Sequence, residues 1–374
     1  MIENSKNISI VGGGLAGLVS AIALAKAGVP VTLFERKKYP FHKVCGEYIS
    51  NEVRPYLESL GVAIDALGPA HIDNFLLSAP SGNALTSPLD LGGFGVSRYT
   101  LDNYLVQVAR EAGAVIREGT TVQEQAYEKN KFRLKLASGE EHATDLVLNA
   151  YGKRSNLDRH LQRQFFRRSS PYIGVKYHVR FNQPKNLICL HNFKDGYAGI
   201  SAIEANKYCF CYLTTRANLK ASGTIAQMEQ NILSQNPHLA KIFREAEFLY
   251  PQPEVINEIS FAPKTCVENH VLFCGDAAGL ITPLCGNGMA MAIHAAKIAS
   301  TCVLEYLSGH LDQDQLEKKY TRLWQQEFSR RLQTGRLVQG LFGRPVLTEM
   351  VLHTFKQFPA GVRFLMKQTH GKPF

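Results

Sequence analysis

The sequence predicts an α/β protein in which a parallel-sheet domain is assembled from separated stretches of chain, an antiparallel sheet is inserted through it, and the C-terminus is helical. Three observations carry this prediction. Residues 8–35 read strand, glycine turn, small-residue helix and strand; a strand, turn and helix return at 271–307; and stretches between them alternate polar and apolar residues as strands do. The 374 residues exceed what a single hydrophobic core usually holds. A composition of 45% hydrophobic and 20% charged residues supplies a sizeable core and excludes disordered and fibrous classes.

Taken in order, Ile8 to Val11 is a buried strand, the run from Leu15 a small-residue helix, and Val31 to Glu35 the next strand, together a βαβ unit. Leu101, Leu105 and Val108 give the stretch from Tyr99 to Ala112 a helical apolar face. Val115 to Arg117, Thr121 to Tyr127 and Phe132 to Leu136 read as strands, and Asp145 to Ala150 as a buried one. Ile72 to Leu77 and Tyr172 to Thr214 alternate as an antiparallel sheet with one solvated face would. Residues 1–70, 95–168 and 264–307 are therefore assigned to the parallel-sheet domain, 71–94 and 169–263 to a substrate domain, and 308–374 to a basic helical region.

The formal net charge of +10 is concentrated in that last region, where Lys318 to Phe374 carries eleven lysines and arginines against Glu327 and Glu349. Cationic helices with an apolar stripe suit an anionic membrane surface, so peripheral membrane contact is one expectation and a solvated cap on the substrate domain the other. No nucleic-acid recognition motif accompanies the charge. No uncharged apolar run is long enough to span a bilayer and the first residues do not read as a signal peptide, so a cytoplasmic location is the expectation. The eight cysteines show no zinc spacing, so no metal is expected, and Cys209 and Cys211 are read as packing residues on one strand face.

Gly12-x-Gly14-x-x-Gly17 follows the first strand and opens the helix, as dinucleotide binding requires: a turn, a close approach of pyrophosphate, and tight helix–strand packing, with Leu15 and Ala16 at the helix start. Glu35, followed by Arg36, ends the next strand where a carboxylate accepts ribose hydroxyls. The second motif, Gly275-Asp276-Ala-Ala-Gly279 through Pro283 to Gly286-Asn287-Gly288-Met289, again sits between a buried strand and a helix. Its acid suits a ribityl hydroxyl, and its helix N-terminus suits the pyrimidine edge of a flavin, where reduction places negative charge. Arg98 after Val96-Ser, and Tyr151-Gly152 after the strand ending at Ala150, complete the order.

Together these motifs resemble the FAD-dependent monooxygenase superfamily, which includes aromatic hydroxylases, flavin halogenases and geranylgeranyl reductases, over roughly the first 305 residues. The resemblance implies a discontinuous Rossmann-type FAD-binding domain and a flavin held at Gly12, Gly14, Gly17 and Glu35, at Arg98 and Asp276, and at Gly286 to Met289, with Val122 against adenine. It also implies NAD(P)H as a transient electron donor. Position 151 is Tyr where the superfamily has Asp, which weakens any role of that position toward the cofactor. Cys45-Gly46-Glu47 and the Asp276 motif resemble geranylgeranyl reductases, whereas Tyr197-Ala-Gly-Ile-Ser201 lacks the Trp and Phe-Pro of their substrate motif.

The expected activity is therefore an NAD(P)H-driven monooxygenase that hydroxylates or epoxidises a hydrophobic aromatic, polyene or polyketide-like substrate, free or carrier-bound. Reduction of isoprenoid or polyene double bonds is the alternative, and a non-catalytic flavoprotein module a third class. Because the flavin itself carries the chemistry, no residue is assigned as catalytic, and Cys45 and Tyr197 are the candidates. Cys45, Tyr48, His178, Tyr197 and Cys285 are the candidates for substrate contact. Glu47 is a general acid or base only if buried, and His294 is read as structural.

Overall fold

A computed structural model describes residues 6–167, 169–280, 286–341, 344–358, 361 and 371–374. Pro283 and Cys285 lie outside the described residues. The chain opens with β1 (Ile8–Val11), α1 (Leu15–Lys26) and β2 (Val31–Glu35). β3 (Tyr48–Ser50), α2 (Arg54–Ser59), β4 (Ala70–Ser78) and β5 (Ala84–Gly95) follow, then α3 (Arg98–Glu111) and β6 (Val115–Glu118). β7 (Val122–Glu128), β8 (Lys131–Leu136) and β9 (Glu141–Thr144) form a small antiparallel sheet before β10 (Leu146–Asn149) and α4 (Asn156–His160). The middle of the chain holds β11 (Tyr172–Arg180), β12 (Leu187–Phe193), β13 (Gly196–Ala202) and β14 (Tyr208–Thr215). After them come α5 (Arg216–Ser222), α6 (Ile225–Asn231), α7 (Pro237–Glu245), β15 (Glu247–Phe248) and β16 (Glu254–Asn257). β17 (Val267–Glu268), β18 (Val271–Phe273), α8 (Gly288–Leu307), α9 (Gln313–Leu341) and α10 (Pro345–Gln357) complete the order.

The α/β class and the discontinuous arrangement are as predicted. A six-stranded sheet runs β17-β18-β10-β1-β2-β6, parallel except for β17, so residues from the start, middle and last third of the chain lie side by side. The inner strands β1, β2, β10 and β18 are largely apolar and buried because α1, α3 and α8 pack against the sheet and close one core with it. The second sheet has nine strands in the order β15-β11-β14-β13-β12-β4-β5-β3, with β16 also paired to β11. It is antiparallel except where β12 runs parallel to β4. Tyr48–Ser50, expected in the nucleotide-binding part, pairs with Gly93–Gly95 of β5 and so joins the second sheet.

Over β11 to β14 the expected solvated face is almost wholly buried. Ile173, Val175, Tyr177 and Val179 of β11 pack with Met228, Leu233, Leu239 and Ile242 from the α6–α7 region, while the alternate residues Lys176 and His178 are buried on the opposite side. The alternation of polar residues marks the second buried side, toward the nucleotide-binding domain, rather than water. α10 covers part of the same sheet: Leu352 packs with Leu77, Leu190, Tyr197 and Leu213. Some of the C-terminal region is thus a cap on the substrate domain.

Candidate functional site

Between the two sheets lies a cavity of about 760 Å³, within the range of cofactor and small-molecule sites. One part is built from glycine turns. Gly12 has φ +107°, and a Cβ there would stand 2.5 Å from the Tyr151 Cα; a Cβ on Gly17 would stand 2.0 Å from the Gly12 carbonyl. Gly14 caps α1 from an extended conformation without a capping side chain, leaving the first helical N–H groups facing the cavity beside Leu15 and Ala16. A Cβ on Gly14 would meet nothing nearer than the Arg98 Nη2 at 3.8 Å, and so would project into the space a pyrophosphate needs.

Glu35 ends β2 with its carboxylate fixed by two backbone groups, accepting from the Gly13 N–H at 2.8 Å and the Lys37 N–H at 3.0 Å. A carboxylate has further lone pairs, which leaves capacity for ribose hydroxyls. Arg36 and Val122 line the same end of the cavity. Arg98, the first residue of α3, forms a bidentate pair with Asp102 one turn on (2.7 and 2.8 Å), and Lys43 reaches the same carboxylate at 2.9 Å. Gly275 and Asp276 form the turn after β18, and Gly286, Gly288 and Met289 line the wall at the start of α8. Burial pushes the Asp276 carboxyl up, against the opposing pull of Lys264, Arg98 and Lys153. Burial likewise lowers Lys264 and Lys153 to about 8. Tyr151, standing at the superfamily's Asp position, instead donates to Asp158 at 2.6 Å, and Asp158 pairs with the buried Arg163, which also donates to the Ala277 carbonyl at 2.9 Å. The Asp276 turn is therefore braced from behind.

These residues fit FAD. The glycine cradle and α1 N-terminus would hold the pyrophosphate, Glu35 the ribose, Arg98 and Asp276 the middle of the cofactor, and the start of α8 the ring. Asn287 is fully buried and stands off the cavity wall.

The rest of the cavity has a different character. Cys45, Tyr48 and Tyr197 line it, and beyond them the wall is apolar, with Phe75, Leu77, Leu85, Leu89, Ile188 and Leu190. Tyr48 is 5% exposed and its hydroxyl has no hydrogen-bond partner among the described residues, as a group awaiting a ligand would be. Burial raises both this phenol and the Cys45 thiol, so each stays protonated at neutral pH.

His178, expected on the substrate wall, is not among the lining residues. Its Nε2 lies 2.6 Å from Glu47 Oε2 and its Nδ1 bonds the Tyr250 hydroxyl, which in turn lies 3.1 Å from His42. Glu47 is fully buried. Its other oxygen accepts from Lys176 Nζ and, at 2.8 Å, from the Arg98 backbone N–H. Burial alone would raise this carboxyl, but the Lys176 ammonium and the His178 contact outweigh it and hold Glu47 at about 2. Glu47, His178 and Cys209 come within 4.8 Å of one another, yet the Lys176 ammonium already supplies the positive charge that a metal would bring. Cys209 donates to the Cys45 carbonyl at 3.1 Å, while Cys211 reaches the cavity wall.

Glu204, in the β13–β14 connection, accepts from the Ser97 N–H at 2.7 Å and from the Ser97 and Thr100 hydroxyls, anchoring the N-terminus of α3. Arg98 is thus held in place from the substrate sheet by two glutamates. The sequence reading missed Lys176, Glu204, Lys43 and Tyr250. One signal was available: Lys176 and His178 stand two apart in an otherwise apolar strand, which puts two basic groups on one buried face.

A family model described as FAD binding domain matches residues 5–323. Conditioned medium factor receptor 1 of Dictyostelium discoideum is 22% identical over 368 residues, covering 87% of this chain and 68% of that protein. Digeranylgeranylglycerophospholipid reductase 1 of Methanopyrus kandleri is 26% identical over 375 residues, covering 92% of each. Among solved structures, a flavin-dependent brominase matches with a TM-score of 0.80 at 18% identity, covering 97% of this chain and 93% of that one, a likeness of fold.

Proposed function

The chain belongs to the FAD binding domain family and is an FAD-dependent oxidoreductase, and from that premise we propose that it reduces carbon–carbon double bonds of an elongated apolar substrate, an isoprenoid or polyene, with NAD(P)H as electron source. The observation that carries this reading is the pairing of an apolar cavity wall with a protonated thiol, Cys45, at its flavin-side end. Bound FAD supplies two electrons as hydride. The chain supplies the rest: Leu77, Leu85 and Ile188 exclude water from the alkene, and Cys45 donates the proton to the second carbon, its thiolate then regaining a proton from solvent. The Arg98 guanidinium, whose charge favours the ionised form of Cys45, stabilises that thiolate while it lasts. Tyr48 and Tyr197 offer hydroxyls for orienting a polar end of the substrate.

Oxygen insertion, the activity the sequence favours, remains the second reading. It is supported by Gly199 and Ser201 on the cavity wall, where the reductases' Trp and Phe would stand. Anaerobic incubation of the NAD(P)H-reduced protein with a geranylgeranyl lipid separates the two. Alkene reduction gives a product heavier by two hydrogens without oxygen, abolished in Cys45→Ala and partly kept in Cys45→Ser. Turnover only with oxygen, and a product gaining an oxygen atom, overturns the reductase reading.

A further inference from the structure

α10 carries apolar side chains on two sides. Its inner side closes the cavity: Val351 and Phe355 line it, and Leu352, 1% exposed, packs in the cluster beneath. Glu349 ties the helix to the β4–β5 turn, accepting from the Ser81 N–H at 3.4 Å and Asn83 Nδ2 at 3.3 Å. Its outer side presents Val346 and Met350, one turn apart and 75% and 63% exposed. Leu337 near the end of α9 is 74% exposed and Phe358 just past α10 is 64% exposed. Elsewhere among the described residues only Tyr99, Val115 and Val255 are large, apolar and exposed, and they are scattered through the chain. Four of the seven large exposed apolar residues described thus fall between positions 337 and 358, with Val346 and Met350 on one helix face, a concentration that marks an interaction site.

The charge around it identifies the occupant. Arg336, Arg344 and Lys356 flank the four apolar residues and make no ion pair among the described residues, whereas Lys318, Lys319 and Arg331 of the same region pair with Asp314, Glu305 and Glu52. Apolar side chains set among unpaired cations complement a surface with anionic headgroups above an apolar layer. We infer that this face docks on an anionic phospholipid bilayer, Leu337, Val346, Met350 and Phe358 entering the headgroup boundary, so that one helix separates the bilayer from the apolar part of the cavity and a lipid-borne substrate enters past it. No described helix is long and apolar enough to cross a membrane, so the attachment is peripheral. The inference deepens the proposed reading, since it rests on the substrate being apolar.

The test is co-sedimentation of the full-length FAD-loaded protein with vesicles of phosphatidylcholine alone or mixed with phosphatidylglycerol. Binding to the anionic vesicles at least about tenfold tighter than to the neutral ones is expected. Val346→Asp/Met350→Asp lowers that binding by about tenfold or more, with flavin content and melting temperature unchanged. Arg336→Gln/Arg344→Gln/Lys356→Gln does the same and removes the salt dependence. Equal binding to both vesicles, no binding, or an undiminished Asp variant overturns docking. So does a concentration-dependent dimer that the Asp variant abolishes without any vesicle binding. Turnover of detergent-dispersed substrate keeps the two claims apart: the Asp variant retains it if the enzyme reading holds, and its absence in the native chain while docking persists overturns that reading alone.

Discussion

Gly12 and Glu47 both sit at the cavity with left-handed backbone, φ +107° and +55°, and they reach it by opposite means. At Gly12 the conformation costs nothing because there is no Cβ, and none fits beside Tyr151. At Glu47 it costs about 1–2 kcal/mol for an L-residue, and partners 129 and 131 residues away offset it. One half of the site is built by backbone that accepts a cofactor, the other by a buried ion cluster that grips its own chain. The difference teaches where rigidity comes from. The glycine turn is set locally and would form in any βαβ unit, whereas the Cys45–Glu47 segment takes its shape only when the two sheets meet.

The largest expected effect breaks the second half. Glu47→Ala leaves the fully buried Lys176 ammonium unpaired and should cost about 3–5 kcal/mol in denaturant unfolding. Glu47→Leu/Lys176→Met should recover most of that loss; if it does not, backbone strain rather than charge dominates. Gly12→Ala tests the first half, and should cost roughly 1–3 kcal/mol of stability and abolish flavin retention on gel filtration. Glu35→Ala and Asp276→Ala are milder: each should weaken FAD binding by about ten- to a hundredfold in a fluorescence titration while the melting curve of the apoprotein stays in place. Stoichiometric flavin in both variants would defeat the cofactor assignment.

The smallest effect is on the pH profile, where two buried glutamates act in opposite senses. Glu47 is lowered from 4.5 to about 2, so its stabilisation is full above about 4.5 and is lost as pH falls toward 2. Glu52 is raised to about 7 by burial, against the opposing pull of Arg331 at 3.7 Å and of the Gly371 backbone. Its folded state therefore favours the proton, and the associated stability is present below about 4.5 and lost as pH rises through 7. Glu52→Gln should flatten the melting temperature between pH 5 and 7 without altering the acid limb that Glu47→Gln removes.

Most of the nucleotide half was legible because its residues act through local backbone requirements. Gly12, Gly14 and Gly17 report a turn, Glu35 a strand end, and Asp276 a strand-to-helix turn, each at a spacing that the chemistry sets. The sheet half was not. The alternation in β11 suggested water on one side, yet Lys176 and His178 face inward, because Glu47 supplies from another strand region the charge that lets them be buried. Nothing local to residue 47 distinguishes such a glutamate from a surface one. The replacement of Asp by Tyr151 was visible, but its meaning required Asp158 and Arg163, which only the fold brings beneath the Asp276 turn.

The order of strands in the parallel sheet also sets a schedule. β1 lies next to β10, and β10 next to β18, so Gly12 and Asp276 become neighbours only after the intervening substrate sheet has been synthesised and threaded through. A nascent chain halted before β18 owns the fingerprint but has no pocket to put it in. Any cofactor site that uses both Gly12 and Asp276 therefore requires β18 to be in place beside β10, so the pocket is a property of the assembled sheet and not of the fingerprint alone.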